Sequence, residues 1–564
     1  MIPEESYLWK FPKEMEDAGL EDNGFTDPFR YVPDPRVLHA GRIVISRLAE
    51  WASMPEGTPE KTIERSFAEG KMLGVLICRT GFLAAFSGTV KGPDGSVTAS
   101  VDGFVPPIID LTNEQGYFKI NEAAITRLNK ELKIISSSPA YNAIKTELIN
   151  AQATRDAEIE ALQDQIRLAK IQRDKIRNES TDPSKLDGLI RESQFQKAEL
   201  KRCKERWKDR IYEIENQISE FEATIRVLKA RRAEQSDALQ KWIFENAIVH
   251  NGAGESLSIW EIFSCGGLTP PGGTGDCAAP KLLNYAFAHG LEPLAMGEFW
   301  YGASPDTAVR THGHFYPSCT SKCGPLLGYM MKGLRHPITG TTSLPTPIGN
   351  LFEDDSIIVV EKPSGMPSVP GLDGRNSLQE LLTSQSNEIH VVHRLDMDTS
   401  GVMVFAKTSE AAVNLRRQFE DHTVRKTYMA KVSATTDIPS GKGAIDLPLS
   451  PDYDERPRQK IDFRQGKPAY TEYEIIRNHE DGTADLLLYP HTGRTHQLRV
   501  HCAHHLGLGR PIVGDLLYGG YSVFDNKAIE PAHPSRLCLH ALSITFRHPE
   551  TGQELTFTSD RLSY

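Results

Sequence analysis

The sequence predicts an α+β protein in which a small α/β region, interrupted by a long helical hairpin, precedes a second, larger α+β domain. Three observations predict it. Strand-like runs at Met72–Cys78 and Phe82–Phe86 flank the turn formers Arg79-Thr80-Gly81. From about Ile125 to residue 243 the composition shifts to Glu, Lys, Arg, Gln and Ala, nearly free of Gly and Pro, as a long helix requires. After Leu351 strand and helix textures alternate to the C-terminus, beginning with the apolar run Ser356–Val360.

At 564 residues the chain is too long for one core, because domains usually take roughly 100 to 200 residues. Hydrophobic residues at 39% and charged residues at 25% fit a globular protein. No run of about 18 apolar residues is present, so no membrane partner is expected. The start, MIPEESYLWKFPKEMEDAG, lacks the basic and apolar stretches of a secretory signal, and eight scattered cysteines do not form a disulfide framework; cytoplasm is the expected location. The net charge of −11 speaks against a nucleic-acid partner, and residues 351–564 alone carry 23 basic against 29 acidic residues. Local clusters such as Arg416-Arg417, Arg425-Lys426 and Arg456/Arg458/Lys460 still supply the makings of a basic groove.

Within the helical stretch Leu200, Cys203, Trp207, Ile211, Ile214, Ile218, Phe221, Ile225 and Leu228 recur at steps of three or four, the seam of a coiled coil. Ile159, Leu162, Ile166 and Ala169 repeat the rhythm, and Asn178–Gly188 interrupts it at Pro183 and Gly188. The pattern predicts an antiparallel hairpin of 125–178 against 186–243, with a parallel homodimer seam as the other arrangement; a ribosomal or other protein contact is the alternative use of such an arm. Residues 1–124 and 244–337 are read as one discontinuous domain of unassigned role around the hairpin 125–243. Residues 338–350, rich in turn formers, are read as a linker to a domain at 351–564.

The segment that carries chemistry is Val391–Lys407, VVHRLDMDTSGVMVFAK, where a carboxylate stands in a polar loop ahead of an apolar strand. An arbitrary Asp beside Thr-Ser-Gly usually caps a turn. The context is different here. His393-Arg394-Leu395-Asp396, two residues, then Thr399-Ser400-Gly401 resembles the signature of the RluA family of pseudouridine synthases. Lys362–Gly365 with Val369–Gly371, Arg425–Ala430 (RKTYMA), Gly493–His501 (GRTHQLRVH) and Pro511–Asp515 (PIVGD) resemble that family's other motifs in order. Leu447–Leu449, Arg456–Lys460 and Gly466–Glu474 are most similar to the ribosomal large subunit type A enzymes, which lack an N-terminal S4 domain.

The resemblance implies a pseudouridine synthase fold at 351–564, a mixed and mainly antiparallel sheet with flanking helices and a central cleft. It implies isomerisation of uridine in ribosomal RNA or transfer RNA, with Asp396 as nucleophile, Tyr428 stacking on the base and removing the C5 proton, and Arg494 as the ion-pair partner of Asp396. Arg394 is implied as the residue that fills the space of a flipped uridine, and His393, Thr399, His496 and Gln497 as further substrate contacts. The chemistry explains these types: a carboxylate can attack the sugar at C1′ or the base at C6 or stabilise a glycal route, an arginine orients it, and a phenol offers a stacking face and a proton-accepting oxygen. Nothing is oxidised and no phosphate moves, so neither cofactor nor metal is expected.

The competing reading is a non-catalytic RNA-binding or ribosome-assembly factor that keeps the fold for docking. A metal reading attaches to His312, His314, Cys319 and Cys323, since two imidazoles and two thiolates can complete a tetrahedron, although their spacing is not that of a common zinc finger. His491, His496, His501, His504 and His505 with Cys502 suggest zinc more weakly, because His496 and His501 belong to the arginine motif of a metal-free family.

Overall fold

The computed structural model describes residues 7–12, 24–92, 95–113, 115–179, 182–335, 348–371, 376–385, 388–433, 441–453, 455–524 and 536–560. Most of the expected linker 338–350 lies outside them. The chain folds into two compact units, Met1–Asp110 with Phe244–Tyr564, and Leu111–Ile243.

The first unit begins with a six-stranded sheet whose spatial order is β1 (Leu8–Trp9), β3 (Gly81–Phe86), β2 (Lys71–Cys78), β4 (Pro293–Tyr301), β5 (His314–Tyr316) and finally Tyr521–Ser522. Sequence-distant strands therefore meet, β2 pairing antiparallel with β4 from Lys71–Tyr301 to Cys78–Pro293. Helix α1 (Pro35–Ala52) starts where Asp34 accepts the Arg36 N–H and Pro35 needs no donor partner. Its apolar stripe of Val37, Leu38, Val44, Leu48 and Trp51 packs on Phe67, Phe86, Phe299 and Phe315. A second helix, α2 (Pro59–Ala68), supplies Phe67. Burying a side chain of that size contributes about 2 kcal/mol each.

In the second unit the helical stretch is three helices, α3 (Tyr117–Ser136), α4 (Pro139–Glu179) and α5 (Pro183–Asn246). The first starts earlier than the composition shift at Ile125. The break at Ser137-Ser138 follows from Pro139, which has no N–H and excludes its predecessor from the α region. Gly188 interrupts nothing and lies inside α5. Glu147 meets Arg210 at 2.5 Å, Glu158 meets Trp207 at 2.6 Å and Arg173 meets Gln196 at 2.7 Å, so α4 and α5 run antiparallel along this length. Tyr141, Ile214 and Ile218 form the most buried part of their contact.

From residue 349 the first unit continues with a ten-stranded sheet. Eight strands run in the order β6 (Gly349–Glu353), β7 (Ile357–Lys362), β9 (Ser400–Ala406), β14 (Leu539–Arg547), β10 (Arg425–Ser433), β13 (Thr483–Pro490), β12 (Tyr470–Asn478) and β11 (Lys442–Asp446). Two more attach at its flanks, β8 (His390–Val391) on β9 and β15 (Glu554–Thr558) on β14. Every pairing is antiparallel except β9 with β14. The sheet is thus mixed and mainly antiparallel, with α6 (Ser409–Glu420) packed on β9 and a short helix, α7 (Gln497–Ala503), further along the chain.

The parallel junction is where the signature loop ends. Gly401 pairs with Ala541, and Ala541 in turn pairs with Tyr428, so the loop before β9 and the tyrosine of β10 lie two strands apart. Gly401 has φ +118°, and a Cβ there would stand 2.3 Å from the Ala541 carbonyl oxygen. Only glycine allows that approach. The N-terminal sheet joins this domain at the Tyr521–Ser522 strand, through the Arg310–Glu455 ion pair and through the Ile461 N–H donating to the Thr307 carbonyl at 2.9 Å. Among the described residues no helix is long and apolar enough to cross a membrane.

Gly401→Ala is expected to lower the unfolding free energy by at least about 2 kcal/mol, since it combines a disfavoured φ with a backbone clash. Urea denaturation of the full chain measures it.

Candidate active site

Asp396 lies in the loop between β8 and β9, in a turn closed by the Thr399 N–H on the Asp396 carbonyl at 3.1 Å. The loop is held mainly from one side. Lys362 Nζ donates to the carbonyls of Pro363, Met366 and Met397 at 2.9, 2.7 and 2.8 Å, which takes all three N–H groups of an ammonium. Burial pushes this lysine down to about 7, opposed by the nearby charges of Asp398 and Asp396. Ser368 Oγ donates to the Leu395 carbonyl and accepts the Leu395 N–H, and the Gly365 N–H donates to the Met397 carbonyl at 2.9 Å. The backbone around the carboxylate is therefore anchored on the 362–368 segment.

Arg499, on α7, faces the carboxylate. Its Nε and Nη2 donate to Asp515 at 2.8 and 2.7 Å, a bidentate pair, while Nη1 stands 3.9 Å from Asp396 Oδ2. The side chains retain 4% exposure at Arg499, none at Asp515 and 19% at Asp396, so the ion pair is dry and the nucleophile candidate alone is reachable. Asp515 also accepts the N–H groups of Leu517 and Tyr518. Although burial alone would raise it, Arg499 and these N–H groups hold the Asp515 carboxyl below its ordinary range. At Arg499 burial works downward, but Asp515 and Asp396 keep the guanidinium charged.

Asp396 is balanced differently. Burial lifts its carboxyl above the ordinary range and Asp515 adds to the lift, while Arg499, Arg394 and Lys362 pull it back. Tyr428 on β10 is pushed well up by burial and then by the Asp396 charge, so the phenol stays protonated across the physiological range. A buried, partly reachable carboxylate, an arginine locked by a second carboxylate and a neutral phenol are arranged for nucleophilic attack beside a flat apolar surface.

Comparison with known proteins agrees with this chemistry. The family model described as RNA pseudouridylate synthase matches residues 356–504. Over 210 residues the chain is 44% identical to the dual-specificity RNA pseudouridine synthase RluA of Escherichia coli (strain K12), covering 37% of this chain and 90% of that protein. The RluA of Yersinia pestis is 43% identical over 210 residues, covering 37% of this chain and 96% of the relative. This chain belongs to the RluA-type RNA pseudouridine synthases. Among solved structures, human RNA Pseudouridylate Synthase Domain Containing 1 matches at 28% identity over 38% of this chain and 83% of its own, with a TM-score of 0.31.

Several of the synthase's expected site residues stand elsewhere than expected. Arg494 does not face Asp396: its Nε donates to the Pro468 carbonyl at 3.0 Å, and the facing cation is Arg499, five residues on in the same motif. The motif contains two arginines, and only the start of α7 decides which one turns inward. Gln497 is consumed by scaffolding, accepting from the Arg494 N–H and Thr492 Oγ1 and donating to Tyr470 and Thr471. His496, at φ +53°, is buried with Nδ1 at 2.8 Å from the Tyr518 hydroxyl, and burial drives its pKa well down. His393 is likewise structural: Nε2 accepts the Val404 N–H at 3.1 Å, the ring stacks on Phe419, and burial lowers it to about 3. Thr399 is buried, and its Oγ1 has no hydrogen-bond partner among the described residues. Arg394 is exposed, and its charge acts on Asp396.

Lys362 and Asp515 were visible only as members of motifs, and nothing in their spacing announced a role. The Cys277 thiol meets that of Cys323, but His312 Nδ1 accepts the Gly302 N–H, His314 Nδ1 meets the Gly519 carbonyl, and the described residues contain no group of three potential metal ligands. His501, within the second histidine group, is occupied by Thr471 Oγ1 and the Leu447 carbonyl.

Asp515→Asn is expected to destabilise the synthase by roughly 3 kcal/mol, because it leaves the buried Arg499 charge underpaired, and to lower turnover although Asp515 is sealed from substrate. Chemical denaturation and turnover measured together check both effects. Because the carboxyl of Asp396 is raised and attack needs the carboxylate, turnover should fall on acidification at a higher pH than an ordinary aspartate would give. A raised folded-state pKa also means that the folded state holds the proton more tightly, so the charge at neutral pH costs stability. Asp396→Asn should therefore leave the Tm unchanged or higher, which calorimetry reads.

Proposed function

We propose that this synthase converts uridine to pseudouridine in structured RNA, ribosomal RNA first and transfer RNA second, with Asp396 as its nucleophile. The supporting observation is the placement of Asp396, the one partly exposed member of an otherwise sealed Asp515–Arg499–Asp396 array. The uridine is flipped from its stack, a step costing a few kcal/mol, and exposed Arg394 occupies the space it leaves. Asp396 attacks C1′, and the N1–C1′ electron pair stays on the uracil. The base, held against Tyr428, rotates, and C5 attacks C1′, returning the carboxylate. The C5 proton is lost and N1 gains one, so atoms and electrons balance without change of oxidation state. Because Tyr428 holds its own proton, it serves as stacking surface and hydrogen-bond donor rather than as the base for the C5 proton, which passes to the released Asp396 carboxylate.

Domain boundaries follow from the same reading. Residues 1–124 and 244–337 are taken as one discontinuous domain, 351–564 as the catalytic domain, and α4 with α5 as an antiparallel coiled-coil arm whose exposed Ile149, Leu168, Ile171, Phe195 and Val227 suit a protein or ribosomal contact. The synthase is taken to act in the cytoplasm.

Two measurements test this. Tritium release from [5-³H]uridine-labelled RNA should fall by roughly a thousandfold or more in Asp396→Asn, as expected when a nucleophile is removed; undiminished release would refute the assignment. Pseudouridine mapping of total RNA with and without the gene should show individual positions lost from ribosomal RNA, and loss confined to transfer RNA would reverse the order of targets.

A further inference from the structure

The loop that carries Asp396 is gripped from a second direction, by a residue of the N-terminal domain. Arg30 Nη2 lies 3.0 Å from Asp398 Oδ1, two residues beyond the nucleophile and 368 residues along the chain from Arg30. The backbone of the loop is tied to the 362–368 segment, and Ser364 Oγ donates to the Asp398 carbonyl at 2.7 Å. The Asp398 side chain is the point at which the other domain takes hold. A Cβ at Gly365 would stand 3.9 Å from Arg30 Nη2, so the guanidinium lies over the junction of the two loops.

Arg30 itself sits on a rigid support. Asp27 accepts the Phe29 N–H on its side chain and the Arg30 N–H on its carbonyl, forming a tight turn. On one side of Arg30 the Pro28 carbonyl accepts the Ser318 N–H at 2.8 Å. On the other, the Tyr31 hydroxyl donates to the Tyr316 carbonyl at 3.2 Å and accepts the Glu298 N–H at 3.0 Å. Both anchors belong to the core of the six-stranded sheet, because Tyr316 and Glu298 are paired residues of β5 and β4. The arginine is thus fixed by a folded domain rather than carried on a loose loop.

We infer that Arg30 is a positioning residue for the synthase reaction, which sets the Asp396 loop through Asp398 and so makes the N-terminal domain part of the catalytic apparatus. This rests on Asp396 as the nucleophile. The argument is one of magnitudes. Side-chain exposures of 47% at Arg30 and 29% at Asp398 place the pair in solvent, where an ion pair contributes about 0–1 kcal/mol to stability. As a structural contact it is close to expendable. A nucleophile, however, must be held to within about 0.5 Å of productive geometry, and a misplacement of about 1 Å can cost on the order of a hundredfold in rate. A weak contact two residues from the reacting carboxylate therefore has leverage on turnover that it lacks on folding. The domains also remain joined without it, through the β5 pairing with Tyr521–Ser522, Arg310–Glu455 and Thr307–Ile461.

The test uses the full chain with [5-³H]uridine-labelled RNA. Arg30→Ala should lower kcat by roughly tenfold while KM stays within about twofold and the Tm within about 1 °C, and Arg30→Lys should recover much of the loss. Asp398→Asn should show the same drop, and the double variant no further one, since both remove one contact. Wild-type kcat in Arg30→Ala, or losses that multiply in the double variant, would overturn the inference. Asp396→Asn run alongside separates the two claims. If it keeps activity, the nucleophile assignment fails; if it is inactive while Arg30→Ala turns over normally, only the role of Arg30 fails.

Discussion

The site depends on one guanidinium. Arg499 satisfies a fully buried Asp515 with two hydrogen bonds and directs its remaining edge toward Asp396. Two carboxylates and one arginine leave the group one negative charge in excess, and that excess falls on the member that solvent and substrate can reach. Asp515 is the better-solvated carboxylate in effect, since it also collects the N–H groups of Leu517 and Tyr518. Asp396 receives only the longer contact, and its carboxyl is raised where that of Asp515 is lowered. The asymmetry separates a sealed, ionised carboxylate from a partly exposed one whose charge is less well satisfied.

Around this array the sheet works as a ruler. The parallel junction of β9 with β14 lets the loop end directly beside Ala541, and the antiparallel pairing of β14 with β10 then brings Tyr428 to the same level. Gly401 makes the approach possible. Lys362, placed at the end of β7, closes the remaining side by collecting three carbonyls from two loops. Each contributor arrives on a different strand or helix, so the geometry belongs to the sheet as a whole and to no single segment.

Within the first compact unit the six-stranded and ten-stranded sheets are joined through backbone pairing and a buried arginine. Strand β5 extends onto Tyr521–Ser522, and Arg310 meets Glu455 beside Arg458. The family model matches residues 356–504, so Thr307, Arg310 and strand β5 on the N-terminal side of this attachment lie outside it. Arg30, anchored on the six-stranded sheet, contacts Asp398 of the signature loop.

The nature of the reaction was legible in the sequence, because the signature motif, its loop glycine and the motif order are local properties of short segments. The signature around Asp396 and the helical stretch read at 125–243 needed only neighbours along the chain to be recognised, although the first helix begins earlier, at Tyr117. What the sequence could not decide was which of two arginines in GRTHQLRVH turns inward. Arg494 and Arg499 are alike in type, and only the start of α7 and the location of Asp515 distinguish them. The polar residues His393, His496 and Gln497 looked equally suited to substrate, yet a buried side chain must satisfy its hydrogen bonds within the fold, and the fold claimed all three. Arg30 lay further still from any sequence signal, since a contact between residues 368 positions apart exists only once distant parts of the chain have packed.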